Sequence, residues 1–427
     1  MAATTITATA RLTTTPATVQ LNTLELVSGR VVEFVSNDAI EADYVPVIDV
    51  SRLYSPDGAE RQALAEEIGH AARNVGFLTI VNHGVDMKLA QAVFDQAKEF
   101  FNLDREKKMK VYTGLLPDEY IGYHPIHEYN ANEKKYQDTY LTEDLYEAYN
   151  WNFEPANDAS TKDVPSAPVV NSWPADLLNF QKTLGKYQAA LVDLARRMTR
   201  MFALALQLPE TAFDGFVELP EASMRILHYP VQTASRDDQN GTGAHTDVEH
   251  FTMITQDCDG LEVLRKDGQW VKVRPVADSF VVNIADSFMR QTNDMFVSTV
   301  HRVINTSGKE RYSCPLFFGF NRATVMTPIP SCVSETNPHK HPVTTAGEYY
   351  QWRAHQAAKR ARPGCTHDQE KLGIRKRHLT LYHHEDSEKK SKMDRTIQKL
   401  SIFHFDGHQP AGLMYVNTPS GVGKSKL

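Results

Sequence analysis

Cysteine is scarce in this chain of 427 residues, and the sequence has neither an excess of positive charge nor a long apolar segment. The four cysteines, Cys258, Cys314, Cys332 and Cys365, show no C-x-x-C spacing. Their spacing argues against a disulfide framework or a zinc site and predicts reduced thiols. The formal net charge of −7 argues against a nucleic-acid partner. No apolar segment approaches the roughly 18 residues of a membrane-spanning helix, so we expect no membrane partner.

The segment from Gly243 to Asp247 carries the most chemical information. Its residues His245 and Asp247 are spaced i and i+2, and on a strand this spacing directs both side chains to one face. A second histidine, His301, follows far along the chain. Two imidazoles and one carboxylate form the ligand set of a non-haem Fe(II) site that leaves positions open for oxygen and a co-substrate. An isolated H-x-D pair arises by chance in many chains, so the surrounding residues decide.

A second pair, Arg311 and Ser313, shows the same i and i+2 spacing shortly after His301. A guanidinium group and a hydroxyl on one strand face suit a planar carboxylate. The alternative is that Arg311 forms a surface salt bridge. We favour the carboxylate site because the pair follows a candidate metal ligand closely in the chain.

The sequence around these residues resembles the Fe(II)/2-oxoglutarate-dependent dioxygenase superfamily, in the branch of isopenicillin N synthase and the plant flavonoid and gibberellin oxidases. The resemblance extends roughly from Tyr44 to Met326. Its motifs are HTDVEHFT (245–252), GLEVL (260–264), DGQW (267–270), VVNIAD (281–286), STVHRV (298–303) and RYSCPLFF (311–318). It implies a mainly β fold with supporting helices around a double-stranded β-helix, or jelly-roll, core.

The resemblance assigns the metal site to three residues. His245, Asp247 and His301 are implied as the Fe(II) ligands and therefore as the catalytic residues, with O2 as the oxidant. In related halogenases the carboxylate position lacks its carboxylate, so that chloride can bind. The presence of Asp247 therefore argues against halogenation.

The resemblance also implies a co-substrate site, in which Arg311, Ser313 and Tyr229 hold the distal carboxylate of 2-oxoglutarate. Isopenicillin N synthase and the plant ethylene-forming oxidase carry the R-x-S pair without using 2-oxoglutarate, so the pair alone leaves the co-substrate open. The segment from Asn283 to Asp286 is closer to the N-x-G-D of enzymes that use it. Ala285 replaces the glycine of that motif, which predicts that the backbone there is not left-handed.

These roles predict an enzyme, an oxidoreductase that oxidises a small organic molecule in specialised (secondary) metabolism and releases succinate and CO2. Hydroxylation, desaturation and ring rearrangement are all compatible with the resemblance. One alternative is an iron oxidase of the isopenicillin N synthase type that does not use 2-oxoglutarate. Another is a non-catalytic jelly-roll binding protein, which would have no need of the complete ligand set.

Five segments follow from the pattern along the chain. They are an N-terminal extension (1–43), an N-terminal α/β dioxygenase domain with a pocket-edge segment (44–165), a long supporting helix (166–210), the jelly-roll oxygenase domain (211–327) and a C-terminal extension (328–427). Helical spacing marks residues 60–75, a second helix near Phe100 and a last helix around 346–352. Ser172 is predicted to cap the long helix. The aromatic residues of 112–165 either line the substrate pocket or cover the core.

Two further histidines compete with the predicted ligands. His83 lies in the Asn82-His83-Gly84 turn after a buried strand, where the family uses the turn structurally. His250 lies three residues after Asp247, an odd offset that directs it to the other face of a continuing strand. We interpret both histidines as structural.

The chain terminates in Ser425-Lys426-Leu427, the peroxisomal import tripeptide. It predicts a peroxisomal import receptor as a partner and a peroxisomal location, with a cytoplasmic location as the alternative. Residues 1–24 are rich in threonine and alanine, contain Arg11 and lack acidic residues. They resemble a transit peptide only weakly, and we favour a disordered leader.

Overall fold

Two facing β-sheets with helices packed outside them form most of the described part of the chain in the computed structural model. The structure describes residues 21–26, 29–36, 38–116, 120–126, 144–166, 168–232 and 240–361. The strands are β1 Asn22–Glu25, β2 Val31–Phe34, β3 Ala39–Ile40, β4 Val47–Asp49, β5 Phe77–Val81, β6 Gly122–His124, β7 Glu147–Trp151, β8 Glu221–Tyr229, β9 Thr242–His245, β10 Phe251–Gln256, β11 Leu261–Leu264, β12 Trp270–Lys272, β13 Phe280–Ile284, β14 His301–Val303, β15 Arg311–Gly319, β16 Val325–Met326 and β17 Thr344–Thr345. The helices are α1 Gly58–Asn74, α2 Lys88–Phe101, α3 Arg105–Met109, α4 Phe180–Ala205, α5 Asp286–Gln291 and α6 Ala346–Ala361.

The larger sheet has eight strands in the order β4-β5-β13-β10-β15-β8-β7-β6, and the smaller has five in the order β3-β12-β11-β14-β9. Apolar side chains from both sheets, among them Leu227 and Ile254 of the larger and Val263 and Val271 of the smaller, form one buried cluster. A double-sheet jelly roll is built in this way. The predicted fold class is therefore confirmed.

The larger sheet crosses the segment boundaries that the sequence predicted at 165 and 210. Its edge strands β4, β5, β6 and β7 come from the predicted N-terminal domain, whereas β8, β10, β13 and β15 come from the predicted jelly-roll domain. The two segments consequently share one sheet, and the boundaries between them stay a prediction.

Helices α1, α2 and α4 cover the outer face of the larger sheet. The side chains that helical spacing predicted to share one face of α1, Leu64, Ile68, Ala71 and Ala72, are all buried. Helix α4 buries a stripe that includes Tyr187 in the same core cluster. Burying one stripe of each amphipathic helix against the sheet leaves its charged face in water.

The prediction that Ser172 caps the long helix is wrong, because α4 begins at Phe180. The preceding residues make tertiary contacts instead. The Ser172 carbonyl accepts a hydrogen bond from the Tyr149 hydroxyl at 2.6 Å, and the Trp173 indole N–H donates to Glu154 at 3.1 Å. Leu178 is apolar and would lie on the buried face of a helix that began at Ser172, but it is 94% exposed.

The segment 112–165 is more regular than its sequence suggested, since it contributes β6 and β7 to the larger sheet. Tyr149, Trp151 and Phe153 lie in the core cluster beneath α4, whereas Tyr146 lies in the cluster between the two sheets. Most of the described aromatic side chains therefore cover the core. Tyr136 and Tyr140, which the sequence also singled out, lie outside the described residues.

Part of the predicted N-terminal extension belongs to the fold. Strand β3 pairs in parallel with β12 of the smaller sheet, and Leu24, Leu26 and Phe34 are buried beside Trp270. Short strands without a steady hydrophobic period carry little sequence signal, so the sequence of residues 1–43 did not predict them.

Toward the C-terminus, α6 begins where a last helix was expected. The compact unit that contains both sheets ends at Pro363, and the second unit, Gly364–Leu427, lies outside the described residues. No helix within the described ranges has the length and apolarity needed to cross a bilayer. Cys258, Cys314 and Cys332 are free and buried, while Cys365 lies outside those ranges.

Candidate functional site

The structure brings His245, Asp247 and His301 together at one end of the smaller sheet. Strands β9 and β14 are antiparallel neighbours that place His301 opposite His245, with ring centroids 4.3 Å apart. Asp247 lies two residues beyond the end of β9. One potential ligand atom from each side chain lies within 4.8 Å of the others. Oδ1 of Asp247 is 3.6 Å from Nε2 of His245 and 3.7 Å from Nε2 of His301.

Backbone carbonyls orient both imidazoles. Nδ1 of His245 donates to the carbonyl of Gly243 at 2.7 Å, and Nδ1 of His301 donates to the carbonyl of Thr299 at 3.2 Å. With the proton on Nδ1, the lone pair of Nε2 points to the centre of the cluster, which is the arrangement of a metal-binding histidine. Burial and the nearby His245 lower the pKa of His301 to about 4, so the ring is neutral and ready to bind a cation at pH 7.

The carboxylate of Asp247 is held by the larger sheet. Its Oδ2 accepts hydrogen bonds from the Thr252 hydroxyl at 2.5 Å and from Nδ2 of Asn283 at 2.8 Å, leaving Oδ1 for a cation. Burial alone would raise the pKa of Asp247, but the neighbouring imidazoles and these hydrogen bonds hold it below its ordinary value. The carboxyl group is therefore ionised at neutral pH.

Arg311 lies inside the jelly roll, on β15 opposite Tyr229 of β8. It is 1% exposed, and its Nη2 donates to the side-chain oxygen of Gln256 at 2.7 Å. Its guanidinium carbon is 4.9 Å from the centre of the Tyr229 ring. Within the described residues, Nε and Nη1 have no acceptor, and no carboxylate lies at salt-bridge distance. The surface salt-bridge alternative is therefore wrong.

The other two residues of the predicted carboxylate site lie close by. Ser313 is buried on β15 at i+2 from Arg311, opposite Leu227 of β8. The hydroxyl of Tyr229 is 3.1 Å from the Thr242 hydroxyl, so this tyrosine supports Arg311 with its ring while its polar end reaches β9. A buried guanidinium with two nitrogens lacking acceptors is costly unless an anion completes it.

The two competing histidines have structural partners, as the sequence interpretation held. Nδ1 of His250 accepts from the backbone N–H of Phe320 at 3.2 Å, and its Nε2 donates to Gln291 at 2.9 Å. His83 contacts the backbone N–H of Val85 at 3.2 Å and the carbonyl of Asp278 at 3.1 Å. With both ring nitrogens engaged, neither histidine has a lone pair left for a metal.

Sequence reasoning missed the residues that position the site. Thr252 and Asn283 face each other across β10 and β13, and each is a polar side chain within a buried apolar strand. That pattern was a usable signal, because buried polar groups need partners. The prediction for Ala285 is confirmed, since its φ of −114° and ψ of 174° are extended.

Two family models together match most of the described part of the chain. Residues 45–176 match the model described as "non-haem dioxygenase in morphine synthesis N-terminal". Residues 220–320 match the model of the "2OG-Fe(II) oxygenase superfamily". The second match contains every residue of the candidate metal and carboxylate sites.

Curated proteins and solved structures agree with the family models. The chain is 36% identical over 324 residues to the 2-oxoglutarate-Fe(II) type oxidoreductase ppzC of Metarhizium majus, covering 71% of this chain and 84% of that protein. It is 35% identical over 311 residues to hxnY of Emericella nidulans, a protein of the same description, covering 70% and 86%. The crystal structure of full-length Neurospora crassa T7H with alpha-KG superposes with a TM-score of 0.65 at 28% identity, covering 76% of this chain and 99% of that chain.

Proposed function

The chain belongs to the Fe(II)/2-oxoglutarate-dependent oxygenase superfamily, and on this basis we propose that it oxidises a small organic molecule of specialised metabolism at His245, Asp247 and His301. Its cofactors are Fe(II), 2-oxoglutarate and O2, and its reaction class is that of a dioxygenase. The branch of the superfamily, the role in specialised metabolism and the residue roles are parts of the proposal.

The convergence of the three ligand atoms carries the proposal. Neutral Nε2 atoms from two histidines and one ionised Oδ1 suit Fe(II) and leave coordination positions open. Carbonyl groups fix both imidazoles, and Thr252 and Asn283 fix the carboxylate, so the donor set is arranged before the metal arrives. When bound, the iron activates O2, and 2-oxoglutarate supplies two electrons as it is converted to succinate and CO2.

The protein's own contribution is binding, orientation and exclusion of water. Arg311 provides charged donors without acceptors for a carboxylate, Ser313 provides a hydroxyl on the same strand face, and Tyr229 supports the guanidinium. Apolar neighbours such as Leu227 and Ile254 keep this interior dry, which strengthens each charged hydrogen bond. Since related iron oxidases carry the R-x-S pair without using 2-oxoglutarate, the co-substrate is favoured instead by the likeness of the chain to 2-oxoglutarate-Fe(II) type oxidoreductases.

A small substrate is supported by the structural neighbours. T7H of Neurospora crassa was crystallised with alpha-KG and thymine, so a related fold at 27% identity holds a small molecule beside the co-substrate. From this neighbour we infer for this chain only that the substrate is a small molecule. Hydroxylation, desaturation and ring rearrangement remain alternative outcomes at the same site.

Anaerobic titration tests the proposed function. We expect the purified apoprotein to bind Fe(II) and then 2-oxoglutarate, with a saturable visible charge-transfer band that reports chelation of the keto acid to the iron. Iron binding without that band would support the substrate-driven iron oxidase instead. Failure to bind iron at all would support the non-catalytic binding protein.

Peroxisomal import is a separate proposal that rests on Ser425-Lys426-Leu427, which lies outside the described residues. A fluorescent protein fused to the N-terminus of the chain is expected to accumulate in peroxisomes, because the import receptor reads this tripeptide. A matched fusion lacking residues 425–427 is expected to remain in the cytoplasm. Peroxisomal accumulation of the shortened fusion would contradict the proposal.

A further inference from the structure

We propose that Arg353 of α6 binds a carboxylate, or another compact anionic group, of the molecule that the enzyme oxidises. This inference rests on the proposed function for the reaction and adds the chemical class of the substrate. Arg353 lies outside both family-model matches, which cover residues 45–176 and 220–320.

Arg353 is placed beside the metal ligands by direct contact with the segment that carries them. Its Nη2 donates to the backbone carbonyl of Thr246 at 3.1 Å, and Thr246 is the residue between His245 and Asp247. The same nitrogen lies 3.5 Å from Oδ2 of Asp286. An anion held by this guanidinium would therefore lie against the segment that carries two of the three proposed ligands.

One nitrogen of Arg353 is used for positioning, while the other two have no partner in the part of the chain that the structure describes. Arg353 is only 4% exposed, and its Nε and Nη1 have no acceptor within the described residues. A buried guanidinium normally has its donors paired, because unpaired charged donors in a dry interior are costly. The missing partner is therefore expected to be a ligand.

Comparison with the other buried arginines supports this interpretation. Three arginines are buried among the described residues: Arg302, Arg311 and Arg353. Arg302 is paired with Glu262 at 2.8 Å, and none of its nitrogens is among the buried atoms without an acceptor. Arg311 and Arg353 each leave Nε and Nη1 without one. Since we assign the gap at Arg311 to the 2-oxoglutarate carboxylate, the same gap at Arg353 marks a second anion site.

Asp286 does not satisfy the remaining donors of the Arg353 guanidinium, because its Oδ2 is shared among three groups. Oδ2 of Asp286 also lies 3.1 Å from the Thr246 hydroxyl and 3.5 Å from the Tyr349 hydroxyl. At 3.5 Å its ion pair with Arg353 is longer than a charge-assisted hydrogen bond. Asp286, Thr246 and Tyr349 therefore fix the direction of the guanidinium, and a fixed guanidinium loses less entropy when it binds an anion.

Bromide provides a probe that does not require the substrate to be known. Crystals of the full chain with Mn(II) and 2-oxoglutarate, in which Arg311 is occupied, would be soaked in sodium bromide and measured at the bromine absorption edge. We expect an anomalous peak at hydrogen-bonding distance from Arg353 in the unmodified protein and none there in R353Q. Absence of the peak from the unmodified protein, or its persistence in R353Q, would overturn the proposal.

Turnover provides the second measurement. Small carboxylic acids would be assayed against their primary amides for substrate-dependent succinate release. We expect acids to be preferred, R353Q to raise the KM for an acid by about 10- to 100-fold, and R353K to retain part of the preference. The control R290Q removes an arginine of α5 whose guanidinium carbon lies 4.6 Å from the centre of the Tyr349 ring. It should change neither bromide binding nor acid preference. Equal preference for acids and amides in the unmodified protein would count against the proposal.

The two proposals fail in different ways. Absence of the charge-transfer band from the unmodified protein would refute the proposed function, whether or not bromide binds at Arg353. A normal band in the unmodified protein and in R353Q, together with no bromide at Arg353, would refute only the anion site and leave Arg353 as a structural contact between α6 and Thr246.

Discussion

Replacing His301 with alanine is expected to reduce turnover by a factor on the order of a thousand or more, because the change removes one of three proposed iron ligands. His301 lies opposite His245 on the neighbouring strand, and no other histidine of the described site has a free ring nitrogen to replace it. Iron affinity should fall in parallel. Succinate release under saturating 2-oxoglutarate and anaerobic Fe(II) titration measure the two effects.

The matched control is His83→Ala, because the two histidines are equally buried. His301 packs against Phe77 with ring centroids 5.3 Å apart, and His83 packs against Phe280 at 4.4 Å. Each substitution leaves a similar cavity and should lower the melting temperature. Only His301→Ala should lose iron. If His301→Ala kept the iron affinity of the unmodified protein, the ligand assignment would have to be abandoned.

The parts of the site that could be predicted from the sequence are those set by local spacing. His245 with Asp247, and Arg311 with Ser313, each lie two residues apart, so a strand face brings them together without any knowledge of the fold. The resemblance then added His301 and Tyr229. The structure brings His245, Asp247 and His301 together and places Arg311 opposite Tyr229 on neighbouring strands, with Ser313 two residues further along β15. The roles of these six residues stay a prediction.

The parts that could not be predicted depend on strand register and on distant segments. Asn283 reaches Asp247 only because β13 lies beside β10, which places Asn283 opposite Thr252 and next to the same carboxylate. Arg353 reaches Thr246 across more than a hundred residues. Neither contact has a sequence period, because each is fixed by the packing of whole elements.

Local propensity failed where tertiary contacts were stronger. Ser172 followed by Pro174 has the composition of a helix start, yet the chain remains irregular up to Asn179. The carbonyl of Ser172 is taken by Tyr149, and the side chain of Asn171 hydrogen-bonds to Glu154 at 2.9 Å. These contacts tie the segment to β7 and its following loop, and they delay the helix by two turns.

Replacing Arg311 with glutamine is expected to weaken 2-oxoglutarate binding by roughly a hundred- to a few-thousand-fold, the equivalent of about 3–5 kcal/mol. The substitution removes a buried charge that has no carboxylate at salt-bridge distance among the described residues, so the co-substrate carboxylate would lose this guanidinium as its counter-charge. Fe(II) should still bind, because its proposed ligands lie on the other sheet and on the segment after β9. The anaerobic charge-transfer band should then appear only at much higher 2-oxoglutarate concentrations.

Arg196→Gln separates this effect from a general loss of stability. Arg196 on α4 is also largely buried and is paired with Asp158 at 2.6 Å, but it lies on the outer side of the larger sheet with the helices. Its replacement should lower stability and leave 2-oxoglutarate affinity unchanged. Arg311→Gln should behave in the opposite way, since it removes a guanidinium that already lacks two acceptors in the protein alone. If the band saturated at the same 2-oxoglutarate concentration in Arg311→Gln and in the unmodified protein, Arg311 would not be the carboxylate site. The interpretation of Arg353 by analogy with Arg311 would then lose its basis.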